Sequence, residues 1–335
     1  MLALIAALSG CGSTLKSSQA AATSCPQTVL ATLGHVVARV YHEGVSSERT
    51  ATARLLIARS AALREAVESA DARAAAQALI VGGHMTNLRV VRGSQTLADV
   101  GGPALAPLRG TILGRGGAPI GSYVTSVWSD SGFIAESDGI GEGLIALREH
   151  GHSVGGSLPL PTRTLPARGS VYRHELIQYT SFPAKAYPSG SLRVYLFKSV
   201  RSTRAFCGAT SEDTVVNTLS RVAHLIYAGE AGHRTLAQVR RVESDQPLLS
   251  AVARRNPAAT KLAVERLLNQ HIVRLRISAG GRLLADVGGP YVLAPVQGTL
   301  RLGGRTIGSF VLSIQDDEGY LRLTKRLAGL DLLMY

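Results

Sequence analysis

Apolar positions follow two periods along this chain, and the switch between them happens twice. Val29, Leu33, Val36, Val37, Val40 and Tyr41 recur at helical spacing and give one apolar face. Ala-, Leu- and Arg-rich helical sequence continues over about residues 50–82. The period then falls to two. Leu88-Arg89-Val90-Val91 reads as a strand, Arg92-Gly93-Ser94 as a turn, and Thr96 to Val100 as a second strand. Gly101-Gly102-Pro103 ends it, because proline cannot donate to a ladder and glycine allows the bend. Gly110 to Leu113 and Ile120 to Trp128 form a hairpin around Gly114-Arg115-Gly116-Gly117. The second cycle opens with Val215, Leu219, Val222 and Ile226 and continues as helix over about 236–270.

The two cycles are copies. His84 to Pro103 (HMTNLRVVRGSQTLADVGGP) and His271 to Pro290 (HIVRLRISAGGRLLADVGGP) share 11 of 20 residues at an offset of 271 − 84 = 187. Ile120-Gly121-Ser122-Tyr123 matches Ile307-Gly308-Ser309-Phe310 at that offset, and Asp130-Ser131-Gly132-Phe133 matches Asp317-Glu318-Gly319-Tyr320. Thr28-Val29 and Tyr41 match Thr214-Val215 and Tyr227 at 186, so one residue has been gained or lost between the copies. Shared order and spacing over about 120 residues mark a tandem repeat.

Beyond the shared part, Asp138 to His150 returns to helical spacing, and Gly169 to Ser181 and Ser191 to Lys198 read as two long strands. Helices, then strands with short turns, then a helix and strands describe an antiparallel sheet packed on helices, hence an α+β class. Copy one runs 198 − 133 = 65 residues past Phe133 to Lys198, whereas copy two runs 335 − 320 = 15 residues past Tyr320. Copy two therefore reads as C-terminally incomplete; a naturally shortened domain is the alternative, and it would leave a sheet edge needing cover.

This order resembles the Cache family of extracytoplasmic PAS-like sensor domains. The resemblance is carried by Leu88-Arg89-Val90, Leu97-Ala98-Asp99-Val100, Ile120-Gly121-Ser122-Tyr123-Val124 and their copy-two equivalents. It implies two tandem Cache-like domains over 26–200 and 214–335, joined by a linker at 201–213, each with a long N-terminal helical segment and an antiparallel sheet. It also implies a small-molecule ligand held between the sheet and its covering loops. The chain has no flanking transmembrane helix, kinase segment or methyl-accepting segment, so a signal would pass through a separate partner.

Strand alternation nominates the ligand-facing residues. Tyr123, Thr125 and Val127, with Phe310, Leu312 and Ile314, form an apolar face expected to pack on the long helices. Ser122, Val124, Ser126 and Trp128 face the other way, as a pocket wall or an ordinary solvent-facing surface. Copy two has Gln315 in place of Trp128, so two such pockets need not bind the same solute. Arg173 and Tyr179 on one long strand and Arg193 and Tyr195 on the last would hold a carboxylate, or else serve as solvated edge charges. Arg89 with Asp99, and Arg276 with Asp286, read as cross-strand pairs. His84 and His271 read as capping or packing residues.

Residues 1–10 (MLALIAALSG) form a short apolar stretch ending in small residues, as in a lipoprotein signal peptide. Leu8-Ser9-Gly10-Cys11 resembles the bacterial lipobox, which implies lipidation at Cys11, and a Ser/Ala-rich tether spans 11–25. No Lys or Arg precedes the apolar run, so the true start is open to an upstream position. An oxidising exterior permits a disulfide between Cys25 and Cys207; two free thiols are the other reading.

Composition narrows the function classes. Charged residues are 18% and the formal charge is +13, yet the Arg residues are spread out with no dense basic run, and aromatics are 5%. Nucleic acid is therefore not an expected partner. Attraction to anionic lipid heads or an acidic wall polymer accounts for the charge, as does an Arg-favouring genome. No run is apolar enough to span a membrane. No G-x-S-x-G elbow occurs, and Gly114-Arg115-Gly116-Gly117 lacks the ending of a phosphate loop. Glu149-His150-Gly151-His152 has no partner motif at metal-site spacing, so no metal, cofactor or catalytic set is expected. The resulting expectation is a non-enzymatic, membrane-anchored extracytoplasmic lipoprotein that binds a small solute as a sensor or capture module. The rival is a structural or interaction lipoprotein that docks to the envelope or to a partner protein.

Overall fold

The structure is a computed structural model describing residues 24–83, 85–158, 165–229, 233–268, 272–289 and 293–333. Cys11, His84 and His271 lie outside the described residues. The first apolar stripe forms α1 (Cys25–Ser46), with Val29, Leu33, Val36, Val37 and Val40 at 1% exposure or less. The helical sequence after it divides into α2 (Glu48–Arg59), α3 (Ala61–Glu68) and α4 (Arg73–Gly83). Serine divides it: the Ser47 hydroxyl accepts from the Thr50 N–H and the Ser60 hydroxyl from the Leu63 N–H, each starting a new helix.

The first strands are β1 (Asn87–Arg92), β2 (Gln95–Gly101), β3 (Ala104–Leu105), β4 (Leu108–Leu113), β5 (Pro119–Ser126) and β6 (Trp128–Ser129). Four of them form an antiparallel sheet in the order β2-β1-β5-β4. Its inner face packs on α2–α4 rather than on the long helix, through Ile57, Leu63, Val67, Leu88, Val90 and Tyr123. Gly110 lies opposite Tyr123 in the ladder, and a Cβ there would sit 2.3 Å from the ring.

The strands expected to complete one sheet instead build a second. After α5 (Asp130–Gly141) come β7 (Leu144–Glu149), β8 (His152–Gly156), β9 (Arg168–Arg173), β10 (Glu175–Ala184), β11 (Ala186–Tyr187) and β12 (Leu192–Ser199). The order is β8-β7-β12-β10-β9, while β11, β3 and β6 form a small sheet joining the two lobes. The helix expected over 138–150 ends at Gly141. Ile145, Ala146, Leu147 and Arg148 are all buried as a central strand, and a run buried on both faces carries no period to read. The expected strand 169–181 breaks at His174, whose φ of 61° turns β9 into β10.

The segment expected as a linker is packed. It holds α6 (Val200–Thr203), a short turn with buried Phe206, and Cys207, which is disulfide-bonded to Cys25 with Cα atoms 5.7 Å apart. Copy two follows as α7 (Ser211–Gly229), α8 (His233–Ser244), α9 (Gln246–Ala253), α10 (Pro257–Leu268), β13 (Arg274–Ala279), β14 (Arg282–Gly288), β15 (Val296–Leu302), β16 (Arg305–Ser313) and α11 (Asp317–Ala328). Its sheet order, β14-β13-β16-β15, reproduces that of the first lobe, and Gly298 again faces an aromatic, Phe310. Among the described residues, copy two has no counterpart of the second sheet.

One core joins the copies. Val36, Val37 and Val40 of α1, Phe133 and Ile140 of α5, Val222 and Ile226 of α7, and Tyr320 and Leu327 of α11 belong to a single buried cluster, with Ile145, Val194 and Leu196 of the second sheet beneath. Polar ties cross the same seam. Arg221 forks onto Glu142 at 2.6 and 3.0 Å, Arg326 pairs with Glu43 at 2.9 Å, and the Tyr320 hydroxyl donates to the Ala223 carbonyl at 2.9 Å. The disulfide holds the N-terminal ends of α1 and α7 together, so the two helices run side by side in one direction.

Candidate functional site

The pocket wall expected on β5 does not form. Ser122 is exposed, in register with Val91 and Thr111. Ser126 is buried at 1%, donates to the Leu105 carbonyl and accepts the Trp128 N–H at 3.1 Å. The same lock recurs in copy two, where Ser313 bonds the Leu293 carbonyl and the Gln315 N–H. Identity between the copies at this serine therefore reflects the corner after the strand and not a ligand.

The carboxylate clamp is not assembled either. Arg173, Tyr179, Arg193 and Tyr195 do share one face of the second sheet, but Arg173 lies opposite Glu175 and Arg193 opposite Pro183. Eight residues of extended strand put these ends about 26 Å apart. Between them Tyr179, Tyr195 and Phe197 stack as a core, with Tyr179 and Tyr195 both at 3% exposure. The Tyr195 hydroxyl donates to the Leu165 carbonyl at 3.0 Å, and Arg193 donates to the Ser181 hydroxyl at 3.2 Å.

The recurrent charged pairs match in register but bond elsewhere. Arg89 sits opposite Asp99, yet it donates to the Thr96 hydroxyl at 3.0 Å while the Tyr187 hydroxyl donates to Asp99. Burial, with the Asp99 hydrogen bond and charge, pushes the Tyr187 phenol up to about 12. In copy two Asp286 is held by Arg274 at 2.9 Å rather than by its cross-strand neighbour Arg276, and the Arg274 hydrogen bond pulls its carboxyl below the usual range. Glu149, His150 and His152 lie at the β7–β8 turn, and among the described residues no group of three His, Cys, Asp or Glu is placed to hold a metal.

Of the nominated ligand residues, Trp128 lines a cavity. This is an open cleft of about 590 Å³ between the C-terminal halves of α1 and α7, flanked by α5 and α11. Its walls are apolar where the helices meet, at Val40, Val127, Ile140, Ile226 and Leu327, and Glu43, Glu48, Glu136, Arg49 and Arg326 add charge. Trp128 is half-buried, with its indole N–H donated to the Val40 carbonyl at 3.2 Å and its ring edge-to-face with Phe133. Gly44 of α1 makes room for it: a Cβ there would lie 2.5 Å from the indole. Both copies supply walls, so neither could form the cleft alone. Strand alternation missed Glu43, Glu48 and Glu136 because they sit on helices. Glu43 alone carried a sequence signal, its helical spacing from Val40, which does not reveal what packs against that face.

A second, smaller hollow of about 280 Å³ lies beside Lys198. Burial lowers the pKa of this lysine, which donates to the Glu142 carbonyl at 2.6 Å and sits 4.9 Å over the Phe206 ring. Its contacts fasten the second sheet to the α5–β7 turn and to the Cys207 segment.

No protein-family model matches the chain, and no curated protein sequence matches it. Two solved structures are similar to part of it. One is the periplasmic domain of Vibrio cholerae LuxQ in selenomethionine form, at 10% identity and a TM-score of 0.33, covering 53% of this chain and 98% of that one. The other is the periplasmic domain of Vibrio cholerae LuxQ, at 11% identity and a TM-score of 0.30, covering 52% of this chain and 98% of that one.

The two serines test the assignment. Ser126→Ala strands the Trp128 N–H and should cost about 1–3 kcal/mol, whereas Ser122→Ala should stay within about 0.5 kcal/mol of the parent. Denaturant midpoints of the two variants measure this; equal midpoints would contradict the structural role of Ser126.

Proposed function

We propose that the chain is an extracytoplasmic, lipid-anchored module that captures or senses a small solute in the cleft between its two copies, without catalysis and without a cofactor. The cleft carries this reading: a large, mostly apolar concavity with a few charged groups and one partly exposed indole has the makeup of a small-molecule site. The lipobox-like Leu8-Ser9-Gly10-Cys11 supports the address, as does a Cys25–Cys207 disulfide, a bond kept in oxidising compartments. Because α1 and α7 both wall the cleft, a solute seated there would bias their packing, and a separate partner would read the change. The second reading, an interaction module docking to the envelope, is favoured by one observation: the sheet faces nominated for ligand are packed with Ser126, Tyr179 and Tyr195.

Trp128 is the chain's single tryptophan, so its emission reports on the cleft directly. Titration with amino acids, carboxylates, purines and polyamines should give a saturable emission change with at least one class, accompanied by a rise in melting temperature. Silence across all of them would favour the docking reading. For the address, the Cys11→Ser variant should move from the membrane to the soluble fraction; unchanged anchoring would remove lipidation at Cys11 from the account.

A further inference from the structure

We propose that the inter-repeat cleft takes an organic cation, a primary or quaternary ammonium carried on an apolar body. This rests on the reading of the cleft as a solute site and adds the class of solute. The observation is an inventory of polar groups. Each donor side chain at the cleft already has a partner. Arg326 is held by Glu43 at 2.9 Å, and the Trp128 indole N–H is given to the Val40 carbonyl. The Ser47 hydroxyl is bonded to the Thr50 hydroxyl at 3.1 Å, and Arg49 has an interaction of its own. Glu48 and Glu136 have no ion pair with another described residue.

The charged groups at the cleft without an ion pair among the described residues are therefore carboxylates, set beside π surface and aliphatic wall. Carboxylates only accept hydrogen bonds, and an indole with its N–H satisfied attracts cations through its ring. The local charge balance runs against the chain as a whole. The sequence has 36 basic to 23 acidic residues, whereas the cleft has two arginines to three glutamates and no lysine. An anion would meet two uncompensated carboxylates, and a neutral molecule of the same shape would cover them without pairing them. A protonated or quaternary nitrogen pairs with them while its apolar body lies on Leu225, Leu323 and the Trp128 ring, which are partly exposed parts of the wall.

The test uses three solutes of one length and different charge: hexylamine, 1-hexanol and hexanoate, titrated at neutral pH into the full chain while Trp128 emission is followed. Hexylamine should bind at least tenfold more tightly than hexanol, hexanoate should give no saturable change, and choline should compete with hexylamine. In the Glu48→Gln/Glu136→Gln double variant, hexylamine affinity should fall at least fivefold while the melting temperature falls by no more than about 4 °C, the cost of the Glu48 charge in the first turn of α2. Hexanol or hexanoate binding as tightly as hexylamine would overturn the cation assignment but leave the cleft a solute site. An unaffected double variant would overturn it too. No emission change with any of these solutes would also overturn it, and silence in the wider solute panel as well would remove the solute site itself.

Discussion

The architecture of this molecule turns on the packing of α1 against α7. Each helix brings an apolar stripe, and the stripes meet over a second sheet that, among the described residues, copy one alone supplies. Each would expose that stripe to water without the other. The Cys25–Cys207 bond closes a separation of 182 residues at the start of both helices, which in the chain-entropy picture stabilises the fold by about 5 kcal/mol. That is a large share of the 5–15 kcal/mol that separates typical folded and unfolded states. The far ends of the two helices have no such staple, and there the walls part to form the cleft.

The repeat explains what the copies share and what they do not. Shared residues serve the small sheet lobes. Glycine sits across from an aromatic at Gly110–Tyr123 and Gly298–Phe310, serine locks the corner at Ser126 and Ser313, and Ala106 and Ala294 both take positive φ, 51° and 43°. These are demands of one fold met twice. The cleft is walled by equivalent helices of the two copies, α1 with α7 and α5 with α11, with Val40 and Ile226 at the offset of 186 and Ile140 and Leu327 at 187; the copies differ at Trp128, matched by Gln315, and at Glu136, matched by Leu323. Duplication produced both the lobes and the paired helices around the cavity, and the differences between the copies set the chemistry of its walls.

Much of the fold was legible from residue patterns, and the limits have physical causes. Helical stripes and strand alternation located α1, α7, β1, β2, β4 and β5, and the α+β class with antiparallel sheets followed from their order. The second sheet was half-hidden because Ile145 to Arg148 in its central strand are buried on both faces and show no alternation. The helical stretch after α1 hid its breaks because Ser47 and Ser60 act as caps only once the chain turns there. Of the nominated ligand residues, Trp128 reached a cavity. Ser126, Tyr179 and Tyr195 went into cores, since alternation tells which face a side chain takes but not what covers that face. A cleft between helices far apart in sequence leaves no local mark.

The central claim is that the two copies form one cooperative body around the α1–α7 seam, and native-state hydrogen exchange on the full chain tests it most directly. The amides of Val36 to Val40 in α1 and of Val222 to Ile226 in α7 should open with the same free energy, and reduction of the disulfide should lower both together. Exchange of the α7 amides at a much smaller opening free energy, with α1 still protected, would show that the copies fold as separate domains and would contradict the account.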